Sequence, residues 1–402
     1  MKAVICGAGI AGLAAAERLA ALNWDVVVVE KAPGPRRQGY MIDFFGPGYE
    51  AAEAMGVLPR LHELGYQVDE MRYIDEAGRR RAGINHERFS QLVRGELLSI
   101  MRPDLELALR EKVTGSVDLR FGTGVTAIDE QANGVQVRLT DGTTLDADLL
   151  VGADGIHSTV RQLVFGDEAR FLRYLGFHTA AYVFADPEIY AEVGNRFCLT
   201  DTAGRQMGFY GLRDGTVAVF TVHRTADPTV PTDTRQAVRA AYGDLGWVAP
   251  CALALCPEPP EIYYDQVAQI ELPQWSSGRV VLLGDACGAV SLLAGQGASL
   301  AMGGAYVLAK QLAKAGSIEA ALAEYQRLWQ PIVTEKQQVA RHGVGWFLPS
   351  SRFRVRLRRL VLTVASGLGL DRYVGKSLVG TSSASLDELG HEHRELDDAT
   401  AR

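Results

Sequence analysis

The stretch AVICGAGIAGLAAAERLA at residues 3–20 constrains the fold of this chain more than any other part of it. A short apolar run leads directly into three glycines with the spacing G-x-G-x-x-G, and an alanine-rich segment with helical character follows. The next apolar run, WDVVVVE, indicates a buried parallel strand that ends at Glu30. Strand, glycine turn, helix, strand and terminal acid together predict a Rossmann-like dinucleotide-binding unit in an α/β fold.

Each part of this unit has a physical role. Gly7 permits a tight turn, Gly9 lets the backbone approach a pyrophosphate, and Gly12 lets helix and strand pack closely. The helix N-terminus offers unpaired N–H groups and the positive end of a dipole to phosphates. Glu30 is placed to accept hydrogen bonds from ribose hydroxyls. These residues do not distinguish NAD from FAD as the ligand.

Composition limits the function classes. The 402 residues are 47% hydrophobic and 22% charged, which is typical of a globular protein, and the formal net charge of −7 argues against a nucleic-acid-binding protein. The five cysteines include no C-x-x-C pair, so we expect reduced thiols and predict no metal site. No apolar run has the length of a membrane span and the N-terminus lacks the features of a signal peptide, so we expect a cytoplasmic protein.

Two later motifs bear on the cofactor. In LDADLLVGADGIHSTVRQLV, residues 145–164, an apolar strand ends at a GADG sequence that contains Asp154 and Gly155. Ser158 is predicted to cap the helix that follows, although a strand that ends in Asp-Gly is also a common turn. In residues 278–312 a strand ends at Gly284 and Asp285, and the sequence Gly295-Gln296-Gly297 opens a long helix rich in small residues.

The chemistry of the second motif favours a flavin. A carboxylate at the end of a strand suits the hydroxyls of a sugar-like chain such as ribityl. The glycine-rich N-terminus of a helix suits a planar, anionic group that lies close to backbone N–H groups, as reduced flavin does. We therefore predict FAD.

In this combination the chain resembles the class A flavoprotein aromatic hydroxylases, a family typified by para-hydroxybenzoate hydroxylase and the tetracycline-inactivating monooxygenases. The matching pieces, in the order of the family, are GAGIAG with Glu30, Arg102 at the start of a helix, GADG, and GDA…AGQG. The segment RRQGYMIDFFGPGYEAAEAMGVL is similar to the tetracycline-modifying branch, which implies that Asp43 and either Arg36 or Arg37 contact FAD. The run GDACGAVSLLAGQG departs from the family because it lacks the usual histidine and proline.

The resemblance implies a Rossmann-like FAD-binding domain with an inserted mixed β-sheet that forms a substrate domain, followed by C-terminal helices. Strand-like stretches such as NRFCLTD and RQMGFYGLR support the inserted sheet. The predicted division is 1–66, 92–165 and 270–345 for the FAD-binding domain; 67–91 and 166–269 for the substrate domain; 346–380 for a C-terminal helical segment; and 381–402 for a disordered tail.

The resemblance also implies a reaction. NAD(P)H, a transient co-substrate, would reduce FAD, and O₂ would add to the flavin to give a C4a-hydroperoxide that hydroxylates an aromatic or polycyclic small molecule. Because this chemistry is carried by the flavin, no catalytic side chain is predicted. The family links the segment Asp154-Gly155 to the reductant, and NADH and NADPH both stay open.

The predicted site residues fall into two groups. His178 and Tyr210 are predicted to bind substrate, because each can donate or accept a hydrogen bond at a phenolic oxygen. The predicted cofactor-binding residues are Gly7, Gly9, Gly12, Glu30, Arg37, Asp43, Arg102, Asp154, Gly155, Gly284, Asp285, Gly295, Gln296 and Gly297.

Alternative functions also fit the glycine motifs. One is a flavin-dependent reductase of isoprenoid double bonds, and another is a non-catalytic flavin-binding or membrane-peripheral protein. A flavin halogenase is disfavoured because its W-x-W-x-I-P signature is absent. Residues 350–370 would form an amphipathic helix, for which we expect packing on the FAD domain rather than membrane contact. Its predicted faces are Arg352, Arg356 and Arg359 towards solvent, and Phe353, Leu357, Leu360 and Val364 towards the protein.

Overall fold

The computed structural model describes residues 1–36, 38–85, 90, 96–292, 295–368 and 386, with the side chains of 84 and 363–368 left out. Its first sheet has six strands, parallel except for the short antiparallel strand at one edge. The apolar runs predicted at the N-terminus form its centre, with every residue of Val26–Val29 buried. In spatial order the strands are β17 Ser276–Ser277, β18 Val280–Leu282, β11 Leu149–Gly152, β1 Lys2–Cys6, β2 Asp25–Glu30 and β7 Asp118–Phe121.

Helices cover this sheet and pack on one another through small residues. Helix α1, Ile10–Ala21, contacts both α4, Arg102–Val113, and α10, Gly297–Lys314. Helix α10 packs in turn on α11, Ile318–Phe347, and on α2, Pro47–Ala54. The other helices of this half of the molecule are α3 Leu58–Leu64, α5 Thr159–Phe165 and α9 Asp285–Gly288.

A second, mixed sheet has seven strands and stands beside the first. Alternation along its strands divides the side chains between two faces. Phe177, Tyr210 and Phe220 belong to one face, and Tyr182 and Phe209 belong to the other. In spatial order the strands are β16 Tyr263–Ile270, β12 Leu172–Phe184, β15 Val217–Arg224, β14 Arg205–Gly211, β13 Arg196–Thr202, β4 Glu70–Ile74 and β5 Arg80–Asn85.

Smaller elements complete the fold. The second face of the large mixed sheet is covered by three short helices, α6 Pro187–Val193, α7 Thr234–Tyr242 and α8 Ala249–Ala254. Two small antiparallel sheets consist of β3 Met41–Phe44 with β6 Leu98–Met101, and of β8 Val125–Gln131, β9 Gly134–Leu139 and β10 Thr144–Ala147. Two 3-10 turns lie at Glu168–Arg170 and Pro259–Glu261.

The last described helix, α12 Arg352–Leu368, corrects the sequence-based expectation. It packs on β5 and β13 of the mixed sheet and not on the first sheet. The face predicted to be buried is exposed, with 73% of Phe353, 46% of Leu357 and 59% of Leu360 accessible. The side chain of Val364 is outside the described part. The helix instead buries Arg358, whose charge is offset by a carboxylate of the mixed sheet.

The α/β fold class with a Rossmann-like part and a mixed sheet is confirmed. The predicted strands at KAVIC and WDVVVVE form β1 and β2, and the cap predicted for Ser158 is present at the start of α5. The seven strands of the mixed sheet fall within 70–85 and 172–270. The domain boundaries stay a prediction, and the tail at 381–402 lies outside the described residues apart from Leu386. Of the helices in the described part, none has the length and apolar character needed to span a bilayer.

Candidate active site

A long cleft lies at the carboxyl ends of the strands of the first sheet, where α/β folds place their ligands. It has two parts with volumes of about 270 Å³ and about 180 Å³. Gly9, Arg102, Ala153 and Gly155 line both parts, so the two form one continuous channel. The wider part lies beside Glu30, and the narrower part lies beside the N-terminus of α10.

The three glycines of the first motif have separate roles. Gly7 has a φ of +107°, a backbone conformation that disfavours any side chain. A Cβ atom at Gly12 would lie 1.9 Å from the carbonyl oxygen of Gly7, so the close contact of helix and turn excludes a side chain there. Gly9 caps the N-terminus of α1 without a side-chain hydrogen bond. A Cβ atom there would meet no atom closer than 3.6 Å, so Gly9 opens the first turn of the helix to the cleft.

Glu30 is held in place at the end of β2. Its two carboxylate oxygens accept hydrogen bonds from the backbone N–H groups of Ala8 and Ala32, each at 2.9 Å. Each oxygen keeps a further lone pair for a ligand hydroxyl. Arg36 and Arg110 line the same part of the cleft and add positive charge. This part therefore suits a ribose and its attached phosphates.

Arg102 stands where the two parts of the cleft meet. Its guanidinium is 2.8 Å from the Glu106 carboxylate. Burial opposes the charge of Arg102, but the carboxylate of Glu106 raises its pKa, so the side chain stays cationic. A fixed positive charge beside the first turn of α1 is suited to a pyrophosphate.

The narrower part ends at the first turn of α10. The N-cap residue Gln296 is buried and makes no side-chain capping bond, so the first N–H groups of this 18-residue helix lack a side-chain cap. By contrast α5 and α11 are capped by Ser158 and Ser317. Gly297 and Asp285 line this part of the cleft. Desolvation by the surrounding walls raises the pKa of the Asp285 carboxyl.

Two glycines form a cradle that side chains would fill. Gly155 has a φ of +83° and Gly295 a φ of +63°, and a Cβ atom at either would meet no atom of the described residues within 4 Å. The left-handed backbone favours glycine at both positions, and the open space beside them lets an extended ligand approach the backbone closely. The hydroxyl oxygen of Ser291, which lines the narrower part, is buried without a partner among the described residues. The channel therefore fits a dinucleotide with a polar, planar end.

Three other predicted cofactor-binding residues are Asp154, Gly284 and Arg37. The Asp154 carboxylate accepts hydrogen bonds from Ser158 Oγ at 2.5 Å and from the N–H groups of Thr159 and Val160 at 2.7 and 3.1 Å. Its side chain thus holds the start of α5, and the residue borders the wider part. Gly284 turns the chain after β18 with a φ of +63°. Arg37 lies outside the described residues.

A third, largely apolar space, here called the aromatic cavity, adjoins the narrower part. Its volume is about 290 Å³, near the lower end of small-molecule sites. It shares Tyr40, Ile42, Leu292 and Gly295 with the cleft. Aromatic side chains from distant parts of the chain form a large share of its wall; they are Tyr40, Phe45, Tyr73, Phe197, Tyr210, Phe220, Trp346 and Phe347.

The structure places Tyr210 and Asp43 in the wall of the aromatic cavity. The Tyr210 ring stacks on Phe197 with centroids 4.1 Å apart, and burial followed by the charge of Asp43 raises the pKa of its hydroxyl. Asp43 accepts a hydrogen bond from Ser99 Oγ at 2.7 Å. Asp43 borders this cavity and does not line either part of the cleft.

His178 is not brought to the cleft or to the aromatic cavity. Its neighbour Thr179 lines the cleft, so His178 projects from the opposite face of the mixed sheet. There its Nδ1 atom is 3.1 Å from the hydroxyl of Tyr264, and its ring meets that of His223 edge to face. Burial lowers the pKa of His178.

Several residues of the aromatic cavity were missed by sequence reasoning. Gln206 lies on β14 four residues before Tyr210, so the alternation of that strand could have placed both on one face. Trp346, Phe347 and Leu362 come from α11 and α12. No local pattern in the sequence connects these C-terminal residues with strands more than a hundred positions earlier.

A Rossmann-like sheet with an extended, glycine-lined channel that ends at a helix without a side-chain cap is typical of a dinucleotide-binding protein. The family model described as "FAD binding domain" matches residues 1–337, and the chain belongs to this family. The resemblance to the class A flavoprotein monooxygenases is thereby confirmed.

The names of curated relatives agree with membership of a flavin-dependent family. The chain is 30% identical to the FAD-dependent monooxygenase asL6 of Sarocladium schorii over 92% of this chain and 94% of the relative. It is also 30% identical to a flavin-dependent monooxygenase from an unknown prokaryotic organism, over 84% of this chain and 87% of the relative. Among solved structures it is similar to tetracycline destructase Tet(55), with 25% identity, a TM-score of 0.79, and coverage of 96% and 98% of the two chains. The chain is a flavin-dependent monooxygenase with FAD as its cofactor.

Proposed function

We propose that this enzyme uses NAD(P)H and O₂ to hydroxylate an aromatic or polycyclic small molecule that binds in the aromatic cavity. In the balanced reaction, substrate, O₂, NAD(P)H and a proton give hydroxylated substrate, NAD(P)⁺ and water. The observation that carries this proposal is the position of the cavity. Four residues form a common wall between it and the narrower part of the cleft, so a bound aromatic molecule would lie beside the planar end of the cofactor.

Residues of the cleft would hold FAD in an extended form. Glu30 would accept hydrogen bonds from the ribose, and the first turn of α1 with Arg102 would hold the pyrophosphate. Asp285 would bind the ribityl chain, and Gly295 to Gly297 would lie against the planar ring system. When bound, FAD supplies the transfer of electrons from NAD(P)H and the activation of O₂.

The remaining residues of the site would orient substrate and exclude water. The uncapped N-terminus of α10 would favour negative charge on the adjacent ring system. The aromatic wall would keep the reacting space dry. The segment Asp154-Gly155 borders the channel, which supports contact with the nicotinamide cofactor there. Tyr210 is the proposed substrate contact, whereas the position of His178 gives no support for such a role.

Incorporation of labelled oxygen tests this function. The purified protein loaded with FAD would be supplied with NADPH or NADH, a panel of uncharged aromatic compounds and ¹⁸O₂, and products would be analysed by mass spectrometry. We expect a product that carries one ¹⁸O atom and faster NAD(P)H oxidation in its presence. Turnover under anaerobic conditions with a reduced double bond in the product would instead establish a reductase, and NAD(P)H oxidation without product would contradict hydroxylation.

A further inference from the structure

Gln206 holds an unusual position in the wall of the aromatic cavity. The residue is 2% exposed, and its side-chain oxygen has no hydrogen-bond partner among the described residues. A buried carbonyl oxygen left without a donor is costly, and native proteins seldom keep one without a reason. On β14 the side chains of Gln206 and Tyr210 share the cavity face, whereas Met207 and Phe209 pack among the helices on the other face. The Gln206 side chain is therefore part of the cavity wall, and its amide carries an acceptor that no described residue satisfies.

Gln206 has no donor of the described residues within hydrogen-bond distance of its side-chain oxygen. Its cross-strand neighbour Asp201 is itself an acceptor, and the Asp201 carboxylate is bonded by Arg358 and Arg359. Arg358 also lies over the ring of Tyr73, with 4.6 Å between the guanidinium carbon and the ring centroid. These two cations are thus held behind the cavity wall by Asp201 and by the aromatic ring.

The charge of the aromatic cavity restricts what can enter. Among the described residues that line it, none is lysine, arginine or histidine, and the one carboxylate is Asp43. Burial raises the pKa of Tyr40, Tyr73 and Tyr210, so these hydroxyls stay neutral at physiological pH. A carboxylate on the ligand would lose its hydration and find no countercharge on this wall.

We propose that Gln206 is a specificity-determining residue, whose side-chain oxygen accepts a hydrogen bond from a hydroxyl or N–H group of an uncharged aromatic substrate. The cavity thereby selects neutral aromatic hydrogen-bond donors over aromatic carboxylates. This inference rests on the proposed function, since it assigns the substrate class of the same cavity. It concerns binding alone, and no step of the reaction passes through Gln206.

Binding of three matched ligands tests the inference. 2-Naphthol, naphthalene and 2-naphthoate share a ring system and differ in the donor and the charge. Their dissociation constants with the FAD-loaded protein would be measured from the change in flavin absorbance and by calorimetry, without NAD(P)H. We expect 2-naphthol to bind about tenfold more tightly than 2-naphthoate and more tightly than naphthalene. Absence of 2-naphthol binding, or naphthoate binding of equal or greater strength, would overturn the proposal.

The variant Gln206→Met separates a ligand contact from a structural role. It keeps the length and volume of the side chain and removes the acceptor, so 2-naphthol should bind about five- to tenfold more weakly while naphthalene changes less than twofold. Equal weakening of both ligands would show a structural role and overturn the proposal. The control Gln162→Met, exposed on α5, should leave all three constants unchanged.

The result is distinguishable from failure of the proposed function. Ligand discrimination needs no turnover, whereas hydroxylation is measured by ¹⁸O incorporation. A protein that distinguishes the three ligands through Gln206 but incorporates no oxygen would refute the hydroxylase and retain the binding assignment. A protein that hydroxylates an aromatic carboxylate, with Gln206→Met unchanged, would retain the hydroxylase and refute the role of Gln206.

Discussion

The cofactor cleft and the aromatic cavity are neighbours with a common wall, yet they are built in different ways. The cleft is built around glycine turns and helix N-termini that each lie within one short motif, with side chains such as Glu30, Arg102 and Asp285 at their ends. The aromatic cavity is formed by side chains that come from residues 40 to 362. A site built around glycine turns depends on turn geometry, whereas a site made of side chains depends on how distant elements pack. The four predictions below test this difference, from the largest expected effect to the smallest.

The largest effect is expected at the contact that attaches α12 to the mixed sheet. The variant Arg358→Met leaves the Asp201 carboxylate buried with one of its two cations removed, and breaking a buried ion pair in this way costs about 3–5 kcal/mol. Because Leu362 of the same helix lines the aromatic cavity, binding of aromatic ligands should weaken as well. Urea unfolding and ligand titration measure the two effects.

The matched control is Arg356→Met, because Arg356 is exposed on the same helix. It should change the unfolding free energy by less than about 0.5 kcal/mol, as surface substitutions usually do. If Arg358→Met and Arg356→Met change the unfolding free energy equally, the attachment of α12 does not depend on the buried ion pair between Arg358 and Asp201.

A slightly smaller effect, confined to the cleft, is expected from Gly12→Ala. The added Cβ would lie 1.9 Å from the oxygen of Gly7, so the first turn of α1 must shift. Such overpacking costs about 3 kcal/mol and should strongly reduce FAD retention, measured by flavin absorbance after gel filtration. Gly316→Ala, where a Cβ meets nothing within 4 Å, should retain FAD fully. Normal FAD content in the Gly12 variant would contradict a site that depends on turn geometry.

Two histidines on the second face of the mixed sheet lead us to expect that the stability of the protein depends on pH. Burial, followed by the charges of His178 and Arg205, lowers the pKa of His223 to about 4 in the folded state, whereas an unfolded histidine titrates near 6.5. Between these values the unfolded state binds more protons, so stability is lost as pH falls from about 6.5 towards 4. His178, whose pKa burial also lowers, acts in the same direction.

The variant His223→Gln should reduce this loss of stability without abolishing it, and His342→Gln, exposed on α11, should leave it unchanged. The unfolding free energy measured in urea at several pH values between 4 and 7 provides the comparison. A wild-type protein whose stability does not fall over this interval would contradict the lowered pKa of His223.

The smallest effect is expected from Tyr210→Phe in the aromatic cavity. The ring and its stacking on Phe197 remain, and only the hydroxyl is lost, so a single hydrogen bond to substrate is at stake. We expect a rise in KM of about two- to fivefold with kcat and FAD affinity nearly unchanged. Tyr190→Phe, on α6 at the other face of the sheet, serves as the control. An equal effect of the two variants would remove Tyr210 from the proposed substrate contacts.

The sequence indicates where the residues that line the cleft lie because its parts are contiguous. Gly7, Gly9, Gly12 and Glu30 belong to one strand–helix–strand unit, and their spacing alone indicates how they meet. The strand preceding Asp285 and the helix after Gln296 are likewise local patterns. Asp154 shows a limit, because the motif that contains it is visible in sequence while the capping role of its carboxylate is not.

The aromatic cavity could not be predicted because tertiary packing assembles it. Gln206 and Trp346 are 140 positions apart and meet only when α11 and the mixed sheet are packed together. For α12, apolar periodicity predicted burial of Phe353 and Leu357, and that prediction is wrong. The helix buries Arg358 because Asp201, 157 residues away, offsets its charge, and no pattern within the helix reports that partner.

The wall common to the two spaces has a consequence for how such an enzyme can change its substrate range. Tyr40 and Ile42 of the wall face both spaces, so a substitution that reshapes the aromatic cavity there also alters the seat of the cofactor. Gln206, Tyr210 and Leu362 border the aromatic cavity and neither part of the cleft. We therefore expect substitutions at these latter positions to change the substrate range while FAD stays bound. Strand β14 and helix α12 are the elements in which such substitutions lie.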